Sequence, residues 1–175
     1  MIAGDEFRRV LGHYSTGVTV ITAVTDKGPV GMACNSLTAV SLDPPLILLC
    51  PARTSETWPL IRNAGQFVVN VMAREQEDVT RRFARKDTDR FGAVGSHPRD
   101  RGLGLDGAVA WIECEIEQEY DAGDHTIVVA RVHALDAPDE GEPLVFFRGR
   151  YGSFAHSESG EGTRMHVPAY SAKRA

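Results

Sequence analysis

Strand-like runs follow one another in this chain with almost nothing between them. VTVITAVT (18–25) and PVGMAC (29–34) are rich in β-branched and apolar residues and are separated only by the turn-like Asp26-Lys27-Gly28. LTAVSL (37–42) and LILLC (46–50) follow across Asp43-Pro44-Pro45, where two prolines remove ladder donors and force a sharp, extended connection. A parallel pair needs a crossover of a dozen or more residues, so links this short demand antiparallel neighbours. FVVNVM (67–72) continues the series. Farther on, Ile112, Cys114, Ile116 and Tyr120 alternate with Glu113, Glu115, Glu117 and Glu119, as in a long strand with one wet face. DAGD (121–124) then turns into HTIVVARVHAL (125–135), and LVFFRGRY (144–151) closes the set.

Helical signals are fewer. Phe7, Val10, Leu11 and Tyr14 form an apolar stripe with Asp5 as a candidate N-cap. Thr57-Trp58-Pro59 opens a second helix that Gly65 would end, and residues 75–86 form a third, with acids early and bases late. Residues 87–108 look loop-like. About eight strands and three short helices without βαβ alternation predict a mainly β (α+β) domain, an antiparallel barrel or highly bent sheet. The 175 residues suit one such domain, over 1–156, with a polar tail at 157–175 that is disordered or laid on a partner.

Charge and composition narrow the function classes. With 19 basic and 24 acidic residues, a formal net charge of −5 argues against a general nucleic-acid binder, and Arg81, Arg82, Arg85 and Lys86 resemble the wet face of a helix. Cys34, Cys50 and Cys114 are odd in number, without a CxxC pair, and suggest reduced core thiols in a cytoplasmic protein. The charged start MIAGDEFRRV lacks the apolar stretch of a signal peptide, and no run is long enough to span a bilayer, so no membrane association is expected.

Three chemical motifs are weak. GLGLDG (102–107) has the G-x-G-x-x-G spacing but follows polar SHPRDR and precedes a strand, the wrong context for a Rossmann turn. The six histidines form no zinc-like pattern, so no metal is expected, and no GxSxG elbow is present. His125 at the tip of a GDH turn is, on its own, more often a solvated turn residue than a functional one.

The stronger signal is the pair of polar segments flanking the Pro-Pro hairpin. Asn35-Ser36 and PARTSET (51–57) would meet at one end of it, where hydroxyls, loop amides and the start of the second helix could hold a phosphate, with Arg82 supplying charge. Caps and turn hydroxyls explain the same residues, and the residues alone leave both alternatives open.

Taken together, STGVTVITAVT, GPVGMACNSLTAVSLDPPLILLCPARTSETW, FVVNVM, VTRRFARKD, the GDH at 123–125 and LVFFRGRYGSF resemble the flavin reductase-like family over roughly residues 7–154. The resemblance implies a split β-barrel, Greek-key-like, with a few short flanking helices. It also implies a homodimer that transfers hydride from NADH or NADPH to FMN or FAD and supplies a partner flavin-dependent monooxygenase. By position, Val30, Gly31, Met32 and Ala33 would run beside the flavin ring. Asn35, Ser36, Cys50, Pro51, Ala52, Ser55 and Thr57 would hold the ribityl chain and phosphate, and Arg82 and Phe83 would close over the tail. His125, as the catalytic residue, would line the nicotinamide side with Arg148, Gly149 and Tyr151. The same fold without a nicotinamide site would instead serve as a flavin-binding electron relay.

Overall fold

A computed structural model describes residues 2–86 and 89–154, so the polar tail at 157–175 lies outside the described residues. Half of the chain is strand, and every strand pairing is antiparallel. The main sheet has the order β3-β2-β6-β9-β10-β5-β4. These strands are β2 (Thr19–Thr25), β3 (Gly28–Cys34), β4 (Thr38–Leu42), β5 (Pro45–Leu49), β6 (Gln66–Val71), β9 (Ala110–Ala122) and β10 (His125–Asp136). A second sheet sets β1 (Thr16–Gly17) beside β11 (Leu144–Phe147) and β12 (Arg150–Ser153).

The barrel is not closed. β3 and β4 form the two edges of the main sheet although they are neighbours in sequence, joined by Asn35–Leu37 alone. A link this short obliges the sheet to bend until its edges approach at one end, which leaves a split between them. The short turns act as expected: Thr19–Thr25 pairs with Gly28–Cys34, and Leu42 stands opposite Pro45 across Asp43-Pro44.

Three helices flank the sheets: α1 (Gly4–Leu11), α2 (Trp58–Ala64) and α3 (Glu77–Ala84), the last preceded by a single 3₁₀ turn at Arg74–Gln76. The cap of α1 is Ala3, without a side-chain bond, and Asp5 instead pairs with Arg8 at 2.9 Å. Gly65 ends α2 at φ 74°, the left-handed conformation that glycine adopts without a Cβ penalty. One core packs Ile21, Leu49, Trp58, Ile61, Phe67 and Val128 beneath α2. The other gathers Val18, Val20, Met72, Phe83, Leu105 and Leu144 beside α3.

Two sequence expectations fail here for tertiary reasons. Residues 87–108, expected to be loop, contain a hairpin of β7 (Ser96–Arg99) and β8 (Gly102–Leu105). It has little intrinsic strand propensity and is held from outside. Thr22 Oγ1 donates to the Leu103 carbonyl at 2.6 Å, and buried Asn70 accepts the Leu105 N–H at 2.7 Å while donating to the Val20 carbonyl and Thr22 Oγ1 at 3.0 Å each. Gly102 permits this contact, because a Cβ there would lie 2.9 Å from the Thr22 carbonyl oxygen. The same hairpin covers the expected wet face of β9 at Glu113, which is buried and accepts the Arg101 N–H at 3.1 Å. Tyr120, on the expected inner face, is exposed. LVFFRGRY, expected to form one strand, turns at Arg148 (φ 50°) and Gly149 (φ 77°) into β11 and β12.

Asn70→Ala leaves buried backbone and hydroxyl groups without partners and lowers unfolding free energy by about 2–3 kcal/mol in urea titration, with faster amide exchange at Leu105. Burial pushes the Cys114 thiol up to about 12 from 9.0. The folded state therefore favours the protonated thiol, and its contribution is full below pH 9 and lost as pH rises towards 12. Urea midpoints at pH 8 and pH 10 should show about 1.4 kcal/mol more loss for the parent protein than for Cys114→Ala.

Candidate functional site

β3 and the loops beside it carry most of the expected site residues, and its alternating side chains divide their roles. Val30, Met32 and Cys34 belong to the core under α2, whereas Ala33 packs into the core beside α3. Gly31 lies directly under the buried ring of Phe83: a Cβ there would sit 2.8 Å from Phe83 Cε1 and 3.0 Å from the Ile21 carbonyl oxygen. β3 is also an edge strand, so its backbone groups directed away from β2 have no strand partner among the described residues. One of them, the Gly31 carbonyl, accepts Arg90 Nη1 at 2.8 Å.

The link after β3 is tied to the end of β5. Ser36 Oγ accepts the Cys50 N–H at 2.7 Å and lies 3.2 Å from Cys34 Sγ. Burial pushes the Cys50 thiol up, favouring its protonated form. The following loop backs onto the GDH turn: the Thr126 N–H donates to the Pro51 carbonyl at 3.0 Å and the Arg53 N–H to the Asp124 carbonyl at 2.9 Å, while Ala52 forms a β-bridge with His125. The structure thus unites the 50–53 loop with His125, as separate sequence motifs could not reveal. His125 Nδ1 lies 2.7 Å from Asp124 Oδ1, and this hydrogen bond holds the Asp124 carboxyl below its usual range. With Nδ1–H donating to the carboxylate, a neutral ring presents Nε2 as an acceptor.

At the start of α2 the hydroxyls serve different partners. Ser55 Oγ accepts the Trp58 N–H at 3.1 Å and approaches Met32 Sδ at 3.8 Å, so Ser55 caps the helix although Thr57 occupies the N-cap position. Leu60 and Ile61 N–H groups donate to the Thr57 carbonyl, and Pro59 has no N–H, so these amides are engaged within the turn. Thr57 Oγ1 instead accepts Arg90 Nη1 at 2.7 Å. The same guanidinium reaches the Arg85 carbonyl through Nε at 3.0 Å and Nη2 at 2.7 Å. Thr57, Leu60, Lys86 and Arg90 line a cavity of about 370 Å³ with Val30 and Phe91. Sequence reasoning missed Arg90, whose contacts with Thr57 and Gly31 lie 33 and 59 residues away.

Arg82 and Phe83, expected together at the flavin tail, point apart. Phe83 is core and meets Phe91 edge-on at 5.1 Å, whereas Arg82 Nη1 donates to the Asp89 carbonyl at 3.2 Å.

At the other end of β3, Asn35 lines a cavity of about 200 Å³ with Val18, Ala33, Cys34, Phe146 and Tyr151. Tyr151 meets Phe146 edge-on at 5.3 Å, lies under the Arg81 guanidinium at 4.8 Å, and has its hydroxyl pKa pushed up by burial. Arg148 and Arg150 border an adjoining open groove with Ser15 and Tyr151, and the Arg148 N–H donates to the Gly12 carbonyl at 2.9 Å. Asn35 is therefore grouped with Tyr151, and Thr57 with Gly31 and Arg90. Among the described residues no group of three His, Cys, Asp or Glu side chains could hold a metal ion.

Among the described residues, the main sheet is open and antiparallel, with a cavity at each end of edge strand β3. Comparison with known proteins identifies the class: the flavin reductase-like domain model matches residues 11–155, and the chain belongs to that family. It is 46% identical over 151 residues to a flavin reductase of Pseudomonas putida, covering 85% of this chain and 89% of the relative. It is 44% identical over 146 residues to HsaB, the reductase subunit of a flavin-dependent monooxygenase from Rhodococcus jostii, covering 83% and 75%. Among solved structures, the Streptomyces globisporus NADH:FAD oxidoreductase SgcE6, in complex with NAD and FAD fragments, superposes with a TM-score of 0.82 at 36% identity, covering 86% of this chain and 92% of that one.

Proposed function

We propose that this protein is an NAD(P)H:flavin oxidoreductase that supplies reduced FMN or FAD to a partner flavin-dependent monooxygenase. The observation that carries this reading is edge strand β3, with outward backbone groups free of a strand partner among the described residues and a cavity at either end. An elongated, hydrogen-bonding aromatic ligand such as a flavin suits that arrangement, and the names of the relatives support both the nicotinamide donor and the monooxygenase partner. The flavin supplies the hydride acceptor. The chain's own part is to bind and orient, with the β3 backbone beside the ring, the 50–57 loop and Asn35-Ser36 along the ribityl phosphate, and Arg82 and Phe83 at the closing helix.

His125 positions the nicotinamide, with Arg148, Gly149 and Tyr151 along the same side. Asp124 holds the His125 ring through Nδ1, so Nε2 is the atom available to the donor. A homodimer belongs to the same reading. No residue of α1 is buried, and Phe7, Val10 and Leu11 form an exposed apolar stripe that a second copy would cover.

Purified protein given FMN or FAD with NADH or NADPH should consume the nicotinamide absorbance band. No oxidation with any pairing overturns the reductase reading, and a flavin-loaded preparation that NADH does not bleach anaerobically points to the electron relay. His125→Ala should slow NAD(P)H oxidation about 10- to 100-fold while flavin affinity stays within about threefold; unchanged oxidation removes His125 from the mechanism. Light scattering should give twice the chain mass for the parent protein, and Phe7→Glu with Leu11→Glu should shift it towards the monomer.

A further inference from the structure

We infer that Arg90 is the residue that makes the flavin site selective for a phosphorylated flavin, a role that rests on the flavin-binding reading above. Its guanidinium joins three elements that the sequence keeps far apart: the Gly31 carbonyl of β3 at 2.8 Å, Thr57 Oγ1 at 2.7 Å and the Arg85 carbonyl just past α3 at 2.7 Å. Thr57 is 8% exposed, and its Oγ1 makes no other hydrogen bond among the described residues. A hydroxyl that accepts from a guanidinium turns its own proton away from it. Arg90 therefore fixes Thr57 as an O–H donor at the cavity wall and places a permanent positive charge immediately behind that donor, the combination that favours a phosphate oxygen over a neutral hydroxyl.

The other charges around this cavity have partners of their own. Lys86 Nζ pairs with Glu56 at 3.2 Å, and Asp89 Oδ1 accepts the N–H groups of Phe91 at 3.2 Å and Gly92 at 3.0 Å, which hold the carboxylate on its own loop without neutralising it. Among the described residues Arg90 is held by neutral acceptors, two carbonyls and a hydroxyl, which do not neutralise it. It also pins the segment after α3 against β3, so one side chain both shapes the cavity wall and sets its charge.

FMN and riboflavin differ by the phosphate and therefore separate charge recognition from scaffolding. Quenching of flavin fluorescence should show the parent protein binding FMN more tightly than riboflavin. Arg90→Gln should weaken FMN binding about 10- to 100-fold while riboflavin affinity stays within about threefold, and Arg90→Lys, which keeps the charge without the planar fork, should recover part of the FMN affinity. Equal weakening of both ligands, or of neither, overturns the inference. If Arg90→Gln does not fold, Arg90→Lys carries the test alone: FMN binding weakened about 3- to 10-fold with riboflavin unchanged supports the role, and equal effects overturn it. A parent protein that binds both flavins without preference refutes only the role of Arg90, whereas one that binds neither refutes the flavin reading itself.

Discussion

Asn35, Ser36 and Leu37 join β3 to β4 across the two edges of a seven-stranded sheet, and the rest of the architecture depends on that link. From the last residue of β3 to the first of β4 an extended chain spans at most roughly 14 Å. The sheet must bend round until its edges come that close, yet the strands diverge enough that they do not pair. The bond from the Cys50 N–H to Ser36 Oγ holds the link to the end of β5. The split is thus a geometric consequence of strand order combined with a short connection.

Leaving β3 unpaired on one side exposes backbone groups that a closed barrel would have used in its ladder. α3 and the segment after it exploit this. Phe83 fits over Gly31 because no Cβ intervenes, and Arg90 reaches the Gly31 carbonyl because no strand competes for it. A similar economy governs the β7–β8 hairpin, whose carbonyl and amide groups are met by Thr22 and Asn70 from the main sheet. In both places a glycine removes bulk, and a polar side chain supplies the hydrogen bond that a neighbouring strand would otherwise provide.

Legibility in the sequence followed the range of the interaction. The β2–β3 and β4–β5 hairpins and the end of α2 at Gly65 rest on neighbouring residues and were readable from β-branched runs, prolines and a terminal glycine. Residues 96–105 were not, since SHPRDRGLGL contains no β-branched residue and its β8 half is tied to the main sheet by Thr22 and Asn70, which lie far away in sequence. Burial of Glu113 was hidden for the same reason: period-two alternation marks two faces of a strand but says nothing of a hairpin laid over one of them. In the site, resemblance supplied the residues beside β3, while Arg90 stood unnoticed within residues 87–108, which read as loop.

By itself the sequence determined the antiparallel character, the main hairpins and the family, because turn chemistry and alternation act between residues a few positions apart and the family motifs are contiguous. The tertiary structure alone decided which polar groups meet. It placed Asn35 with Tyr151, Ser36 against Cys50, the 50–53 loop with His125, and Thr57 with Arg90. Those pairings depend on how far the sheet bends and where α3 returns across β3. Both are set by packing and hydrogen bonds between residues far apart in the chain, whose partners leave no local pattern to read.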